Sequence, residues 1–448
     1  MDGPLRLIRD GFGHLSQAPR GLRVWTMVCV LLCAAFLPYW RTGPGDAGSW
    51  FAPLAVDSGY LHRQAPYVDF HAIVEAGYRL RTGEDPYGAV EETQGTPYAT
   101  PFRYFPVNLL WLALPLGFVP LPLGAHVWVL AGLLLLGVNF LASVALAPER
   151  TGLLAFLWFV WFPLIPEWHL GQFNLLTGTL LFWTALAVLL GWRQRWAVLW
   201  ALAAWLKLFP LALVPWLWRA GWRRPVVAAL AVLLAVTGLW VGLREESAFT
   251  EQFFARDLEA GLLARTHQPY AGAQGLGAGV NATLWKARGL SFGMQAEPDG
   301  EPMRPDPVFL VSVLVLLAWA AAAVWVSRPG FAWRSFGPLV LLWLGWFLIV
   351  RDCWEHHTLF LQPLLILLVL AGLSGRVALA AWLFLGAPSL WWLWQRSGYQ
   401  GNLMAETVGL LYFWQRPAGF VLLLWAAWHL PLALPGRAKQ NARTEETE

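Results

Sequence analysis

The chain has 448 residues, of which 58% are hydrophobic and 13% charged, against about 25% charged in an ordinary soluble domain. That shortfall, with a mean hydropathy of +0.50, excludes a disordered chain and argues against a soluble globular enzyme. The 31 basic and 27 acidic residues leave a net charge of +4, too small an excess to imply a nucleic-acid partner.

The 31 tryptophans and 26 phenylalanines suit many lipid–water boundaries, so the chain reads as an all-α polytopic membrane protein. Cys29, Cys33 and Cys353 have neither disulfide-framework nor CxxC spacing. The first apolar run, 22–40, follows Arg6, Arg9, Arg20 and Arg23. It is too long for a signal peptide and lacks a small-x-small cleavage site, which predicts a retained helix with a cytoplasmic N-terminus. Further apolar runs lie near 123–146, 153–167, 172–190, 196–218, 225–243, 308–328, 335–350, 357–373, 377–393 and 410–432. Arg150, Arg193 with Arg195, Arg219 with Arg223 and Arg224, Arg328 with Arg334, Arg376, and Arg437 with Lys439 belong inside by the positive-inside rule. Keeping them there makes 196–218 a hairpin that turns at Lys207, ahead of Pro210, near the outer face. The same logic makes 105–119 interfacial or re-entrant. The sum is about 12 membrane helices including the hairpin. Residues 1–435 form one integral membrane domain, and 436–448 form a disordered cytoplasmic tail. Loops 41–104 and 244–307 face outward, as does the turn Arg351-Asp352-Cys353-Trp354-Glu355-His356-His357.

In the first outer loop, Asp69 precedes Phe70, Ile73, Val74, Gly77 and Tyr78, whose spacing makes one apolar helical face. The helix is expected to lie along the membrane surface. Asp69 is then either its N-cap or a general base whose partial burial raises its pKa. Asp85-Pro86-Tyr87 is a turn signal that needs no further role. Arg103 abuts an apolar run on the outer face, where it either binds a lipid phosphate or reaches to headgroups. Gly171-Gln172-Phe173-Asn174 opens a helix, and its amides serve as caps or interhelical hydrogen bonders. Lys207, deep in an apolar hairpin, is costly without a function and fits a phosphate ligand. In Trp354-Glu355-His356-His357, adjacent histidines diverge on a helix. One histidine bonding to a phosphate is therefore a more economical role than a metal site. No Walker or Rossmann fingerprint is present, and no ligand cluster calls for a metal or other cofactor.

In their order these motifs resemble glycosyltransferase family 87. The carrying residues are Asp69 before a helix ending in Gly83-Glu84-Asp85-Pro86-Tyr87, Tyr104-Phe105-Pro106, Gly171-Gln172-Phe173-Asn174, and Trp205-Leu206-Lys207-Leu208-Phe209-Pro210. Asn281-Ala282-Thr283-Leu284 and Cys353-Trp354-Glu355-His356-His357 complete the set, over about 60–375. The resemblance implies a GT-C fold in a bacterial plasma membrane, with the active site on the extracytoplasmic side. It implies an inverting transfer of a hexose, mannose in an alpha linkage, from a polyprenyl-phosphate donor to a glycolipid or glycan acceptor. Asp69 would be the base, Lys207, His356 and Arg103 would hold the donor phosphate, and Tyr104, Gln172, Asn174, Asn281, Trp354 and His357 would line the pocket. Cys353 stands where the family has serine, and Phe105-Pro106 where it often has Pro-Pro. Two other readings are a polysaccharide polymerase or ligase using lipid pyrophosphate, and a secondary transporter. The transporter reading calls for internal repeats and midplane charges, of which the sequence offers only Lys207.

Overall fold

The computed structural model describes residues 3–36, 39–40, 47–48, 67–88, 102–243, 249, 275–287, 307–328, 331, 333–349, 355–390, 393–394 and 403–434. Trp354, Cys353, most of both long outer loops and the C-terminal tail lie outside them. Among the described residues the architecture is helical, apart from a two-residue antiparallel pairing of Tyr39–Trp40 with Ala47–Gly48.

Helix α1 (Pro4–Gln17) is separated from α2 (Arg20–Ala35) by Pro19, which cannot continue a helix with its own N–H. Helix α3 (Val68–Thr82) is followed, after a strap at 102–106, by a π-helical turn at Leu109–Ala113. Then come α4 (Leu121–Leu146), α5 (Thr151–Phe159), α6 (Leu164–Leu170) and α7 (Asn174–Leu189). Short helices α8 (Ala197–Leu206) and α9 (Val214–Arg219) flank Lys207, and α10 (Arg223–Leu243) follows. The remainder comprises α11 (Leu276–Ala287), α12 (Pro307–Ser327), α13 (Gly337–Ile349), α14 (Gln362–Leu370), α15 (Gly375–Leu385) and α16 (Leu403–Trp428).

Residues from α4 to α9 and from α13 to α16 form the main apolar core, with Trp158, Trp161, Trp200 and Trp343 fully enclosed. Buried polar side chains fasten helices within it. Asn139 Nδ2 donates to Thr179 Oγ1 at 2.9 Å, Trp183 Nε1 donates to Asn139 Oδ1 at 2.8 Å, and Trp158 Nε1 donates to Ser143 Oγ at 3.0 Å. Such interhelical bonds join apolar helices where lipid supplies no hydrophobic drive to associate.

Among the described residues, Leu123–Leu146 and Arg223–Leu243 are long and apolar enough to cross a membrane. Pro148–Phe159 with Leu164–Leu170 makes a third candidate, bent by 46° at its break. Many expected spans are thus shorter pieces, and helix length by itself does not give the span count.

The basic loops nevertheless meet one another. Gln194 Nε2 donates to the Gly221 carbonyl at 2.9 Å, and Trp200 Nε1 donates to the Pro210 carbonyl at 2.9 Å. Segment 194–221 therefore doubles back on itself, with its arginine-bearing ends together. Arg219 donates to the Arg328 carbonyl at 2.8 Å, while Arg150 donates to the carbonyls of Val369 and Leu373 at 2.7 Å each. Lys207 lies one short helix away, about 15 Å at 1.5 Å per residue.

The helix carrying Asp69 departs from expectation. It does not present a single apolar face: Val68, Phe70 through Gly77, and Arg79 are all buried. Close backbone approach explains this. A Cβ on Gly77 would collide with the Ala113 carbonyl, and one on Gly117 would collide with the backbone of Gly77. Glycines at both positions let the π-helical turn press directly onto α3.

Candidate active site

The first turn of α3 is fixed by its neighbours rather than by a side-chain cap. Tyr67 occupies the cap position with φ 66° and ψ 26° and has no side-chain cap bond. It is the one non-glycine residue with positive φ among those described, a conformation costing roughly 1–2 kcal/mol. Its N–H donates to the His169 carbonyl at 2.5 Å, which ties α3 to the end of α6. Gly171 closes the same seam with φ +69°, where a Cβ would stand 2.6 Å from Phe70 Cβ. The N-cap reading of Asp69 is thereby corrected, because Asp69 sits inside the helix and its carboxylate turns to another partner. Gln172 Nε2 donates to Asp69 Oδ2 at 2.6 Å.

Aromatic packing holds the surrounding pieces in register. Trp128 lies 5.9 Å from Phe70 and 4.3 Å from Phe173, and Tyr104 meets Phe173 edge-on at 5.9 Å. The strap carrying Arg103 and Tyr104 is pinned at two points. Asn108 Nδ2 donates to the Trp205 carbonyl at 2.5 Å, and the Tyr87 hydroxyl donates to the Tyr104 carbonyl at 2.6 Å. Helix α8 ends at Leu206, and Lys207 is extended, with φ −140° and ψ 132°. Its Nζ stands 5.3 Å from the centre of the Tyr104 ring, within cation–π range. Lys207 also lies close enough to Asp69 and Glu167 to feel both charges. Burial pushes the Asp69 carboxyl above the ordinary aspartate range, while Lys207, the Gln172 amide and Arg103 pull it partly back.

His356 and His357 belong to the 3-10 segment Glu355–Phe360, with ring centres 4.6 Å apart. Phe360 stacks on His357 and packs 4.3 Å from Phe209, beside Lys207. Both imidazoles lie within the field of the Lys207 ammonium.

The structure therefore gathers Asp69, Arg103, Tyr104, Gln172, Lys207, His356 and His357. Arg103 is exposed, Asp69, Tyr104, Gln172, Lys207 and His357 are half-buried, and His356 is enclosed. Two further candidates are enclosed by protein. Asn174 is fully buried with Nδ2 given to Glu167, so it supports the turn instead of lining an opening. Asn281 is buried on α11, between Ala278 and Ala282, which pack against Tyr412 and Phe413 of α16. Trp354 lies outside the described residues.

One residue of the cluster was not anticipated. Glu167, 1% exposed, accepts from Asn174 Nδ2 at 2.7 Å and from the Leu175 N–H at 2.8 Å. A signal existed, because Glu167 is the lone acidic residue between Arg150 and Arg244, and an acidic residue amid apolar helices calls for a function. Among the described residues no three His, Cys, Asp or Glu side chains converge as metal ligands.

The model of glycosyltransferase family 87 matches residues 102–350, more than half of the chain. The chain belongs to glycosyltransferase family 87. The match takes in Arg103, Tyr104, Glu167, Gln172, Lys207 and Asn281, and stops short of Asp69 on one side and the histidine pair on the other. No curated protein and no solved structure matches the chain. Family and apolar helices together make this a membrane glycosyltransferase.

Proposed function

We propose that this family 87 member is an inverting hexosyltransferase that moves mannose from a polyprenyl-phosphate donor to a glycolipid or glycan acceptor. The transfer takes place at the extracytoplasmic face of a bacterial plasma membrane, within a GT-C fold of about 12 membrane helices. The observation that carries this reading is the convergence of one half-buried carboxylate, Asp69, with two cationic side chains, Lys207 and Arg103.

A phosphate ester already leaves as a stabilised anion, so the donor side needs positive charge more than a proton. Lys207 and Arg103 supply that charge, and His356 adds an N–H donor. The acceptor hydroxyl attacks the anomeric carbon from the face opposite the phosphate and gives its proton to Asp69. Gln172, which already donates to Asp69 Oδ2, keeps that carboxylate aimed. Burial that raises the Asp69 pKa makes it a stronger base than an exposed aspartate. Tyr104 and His357, both half-buried, offer an aromatic face and an imidazole to the sugar. The gathering of arginine-bearing loops supports the orientation, because those loops favour the cytoplasm.

The test is purified protein in lipid, presented with a panel of radiolabelled polyprenyl-phosphate sugars. Mannose transfer with inverted anomeric configuration is expected, and transfer only from a lipid pyrophosphate would favour the polymerase or ligase reading instead. Single cysteines near Arg103 should be labelled from outside and those near Arg150 or Arg224 should not; the opposite pattern would remove the extracytoplasmic site.

A further inference from the structure

Resting on the base assignment above, we infer that one ordered water sits behind Gln172, bonded to the Trp168 indole, and locks the amide that aims Asp69. Trp168 is thereby a positioning residue for the transfer. Gln172 holds Asp69 by one end of its amide only. Its Nε2 donates to Asp69 Oδ2 at 2.6 Å, while its Oε1 is buried without a hydrogen-bond partner among the described residues. Trp168 is 1% exposed, and its Nε1 N–H also finds no partner among them. Buried indole and amide groups are normally satisfied, by protein or by water.

Trp168 and Gln172 line one cavity of about 10 Å³, walled by Gly132 and Leu135 of α4 and Leu175 of α7. Gly132 shows where the indole points, because a Cβ there would stand 3.0 Å from Trp168 Nε1. A space of this size holds one water. The water oxygen accepts from the Trp168 N–H, and one of its hydrogens goes to Gln172 Oε1. Glu167 borders the same cavity. Its two oxygens each accept one bond, from Asn174 and Leu175, and a second lone pair remains for the other hydrogen of the water. An apolar occupant would leave the N–H and the amide oxygen unpaired, at the full cost of their desolvation.

The consequence falls on the base. The last torsion of a glutamine side chain is soft, so an amide held at one end swings, and one held at both ends does not. Among the described residues the Asp69 carboxylate accepts from this amide alone, and its aim is therefore as good as the amide is still. A base displaced by a fraction of an ångström loses rate in the chemical step and leaves donor binding as it was.

The experiment is a double-mutant cycle on kcat with a polyprenyl-phosphate mannose donor. Trp168→Phe keeps an aromatic ring and removes the N–H. Gly132→Ala puts a methyl group where the water stands, and alanine suits a helix better than glycine, so it serves if Trp168→Phe does not fold. Each should lower kcat about ten-fold with KM for the donor unchanged. In Gln172→Leu, which has no amide to orient, both substitutions should change kcat by less than about two-fold. A fall that persists in full beside Gln172→Leu would assign Trp168 and Gly132 to packing and reject the water. Unchanged kcat in the single variants, with Asp69→Asn inactive, would reject the water's role and leave the base intact. Near-normal transfer by Asp69→Asn would reject the base, and this inference with it. A density map that resolves ordered solvent needs no substrate. It should show an oxygen about 3 Å from both Trp168 Nε1 and Gln172 Oε1, absent from Gly132→Ala, and a dry cavity in the wild type would overturn the proposal.

Discussion

The first turn of α3 and the short helix α6 each carry one carboxylate within the field of Lys207, and they hold it in opposite ways. Asp69 accepts from a single side-chain amide and stays half-buried. Glu167 is enclosed and accepts from a backbone N–H and a second amide. A carboxylate whose two oxygens both accept hydrogen bonds is fixed in position. One that is half-buried and accepts a single hydrogen bond can take a proton. The start of α3 and the end of α6 are clamped together at Tyr67, His169 and Gly171, so one seam carries both an enclosed carboxylate and a half-buried one.

The largest expected effect breaks the half-buried side. Asp69→Asn should lower single-turnover transfer by about 10²–10⁴-fold with donor binding nearly unchanged. Since Tyr67 rather than Asp69 occupies the cap position, no loss of helix capping can account for such a fall. Asp85→Asn is the control, because asparagine can still accept from the Tyr87 N–H as the Asp85 carboxylate does. Near-normal transfer by Asp69→Asn would leave the comparison without its reactive member.

Removing the Lys207 cation comes next. Lys207→Ala should weaken donor binding about 10–100-fold, the scale of a lost hydrogen bond to a charged group. Lys207→Arg should not restore it, because a planar fork does not occupy the place of a compact ammonium over Tyr104. Donor titrations of the folded variants measure both. The pH dependence gives the sign of the Asp69 shift. The base form is the deprotonated one, and burial raises its pKa. Wild-type kcat/KM should therefore rise with pH through an apparent pKa above the ordinary aspartate value, falling about ten-fold per unit below it. An acid limb in the ordinary aspartate range would contradict the burial.

The seam itself can be loosened. Gly171→Ala forces a side chain into a left-handed backbone position and onto Phe70, at a cost of at least about 1–2 kcal/mol. A lower melting temperature together with reduced transfer is expected. Unchanged stability would mean that the α3 and α6 ends are not clamped as described.

The sequence carried more of the site than of the span count. The break at Lys207, the Gln172 amide and the histidine pair were legible because each is a polar interruption in apolar surroundings, where the cost of burial announces a purpose. Glu167 escaped notice because it closes an apolar run with no motif around it, and its partners, the Asn174 amide and the Leu175 N–H, meet it only across the bend at Gly171. Asp69 offered two readings because an aspartate in the first helical turn imitates a cap, and only the left-handed backbone of Tyr67 separates them. Helix counting fell short for a related reason. Segments such as 151–170 and 197–219 divide into pieces too short to cross alone, and hydropathy averages over the breaks that create the site.

The smallest effect concerns the turn Asp85-Pro86-Tyr87, which reads in the sequence as a simple reversal. The structure gives it a grip on the site. Arg79, ion-paired with Glu75 at 3.1 Å, donates to the carbonyls of Asp85 and Gly88. The Tyr87 hydroxyl donates in turn to the Tyr104 carbonyl. Tyr87→Phe keeps the ring, which packs 5.3 Å from Phe102 and 5.0 Å from Phe249, and removes the hydroxyl that makes that bond. The loss should be about 1 kcal/mol. If the turn merely reverses the chain, the loss appears as lower stability with unchanged kinetics. If it fastens the strap, Arg103 and Tyr104 drift from Lys207, and KM for the donor rises several-fold while kcat holds. Because Asp69 is anchored through Gln172 and not through the strap, a fall in kcat with KM unmoved would contradict this division of labour. Steady-state kinetics alongside a thermal melt separates the three outcomes.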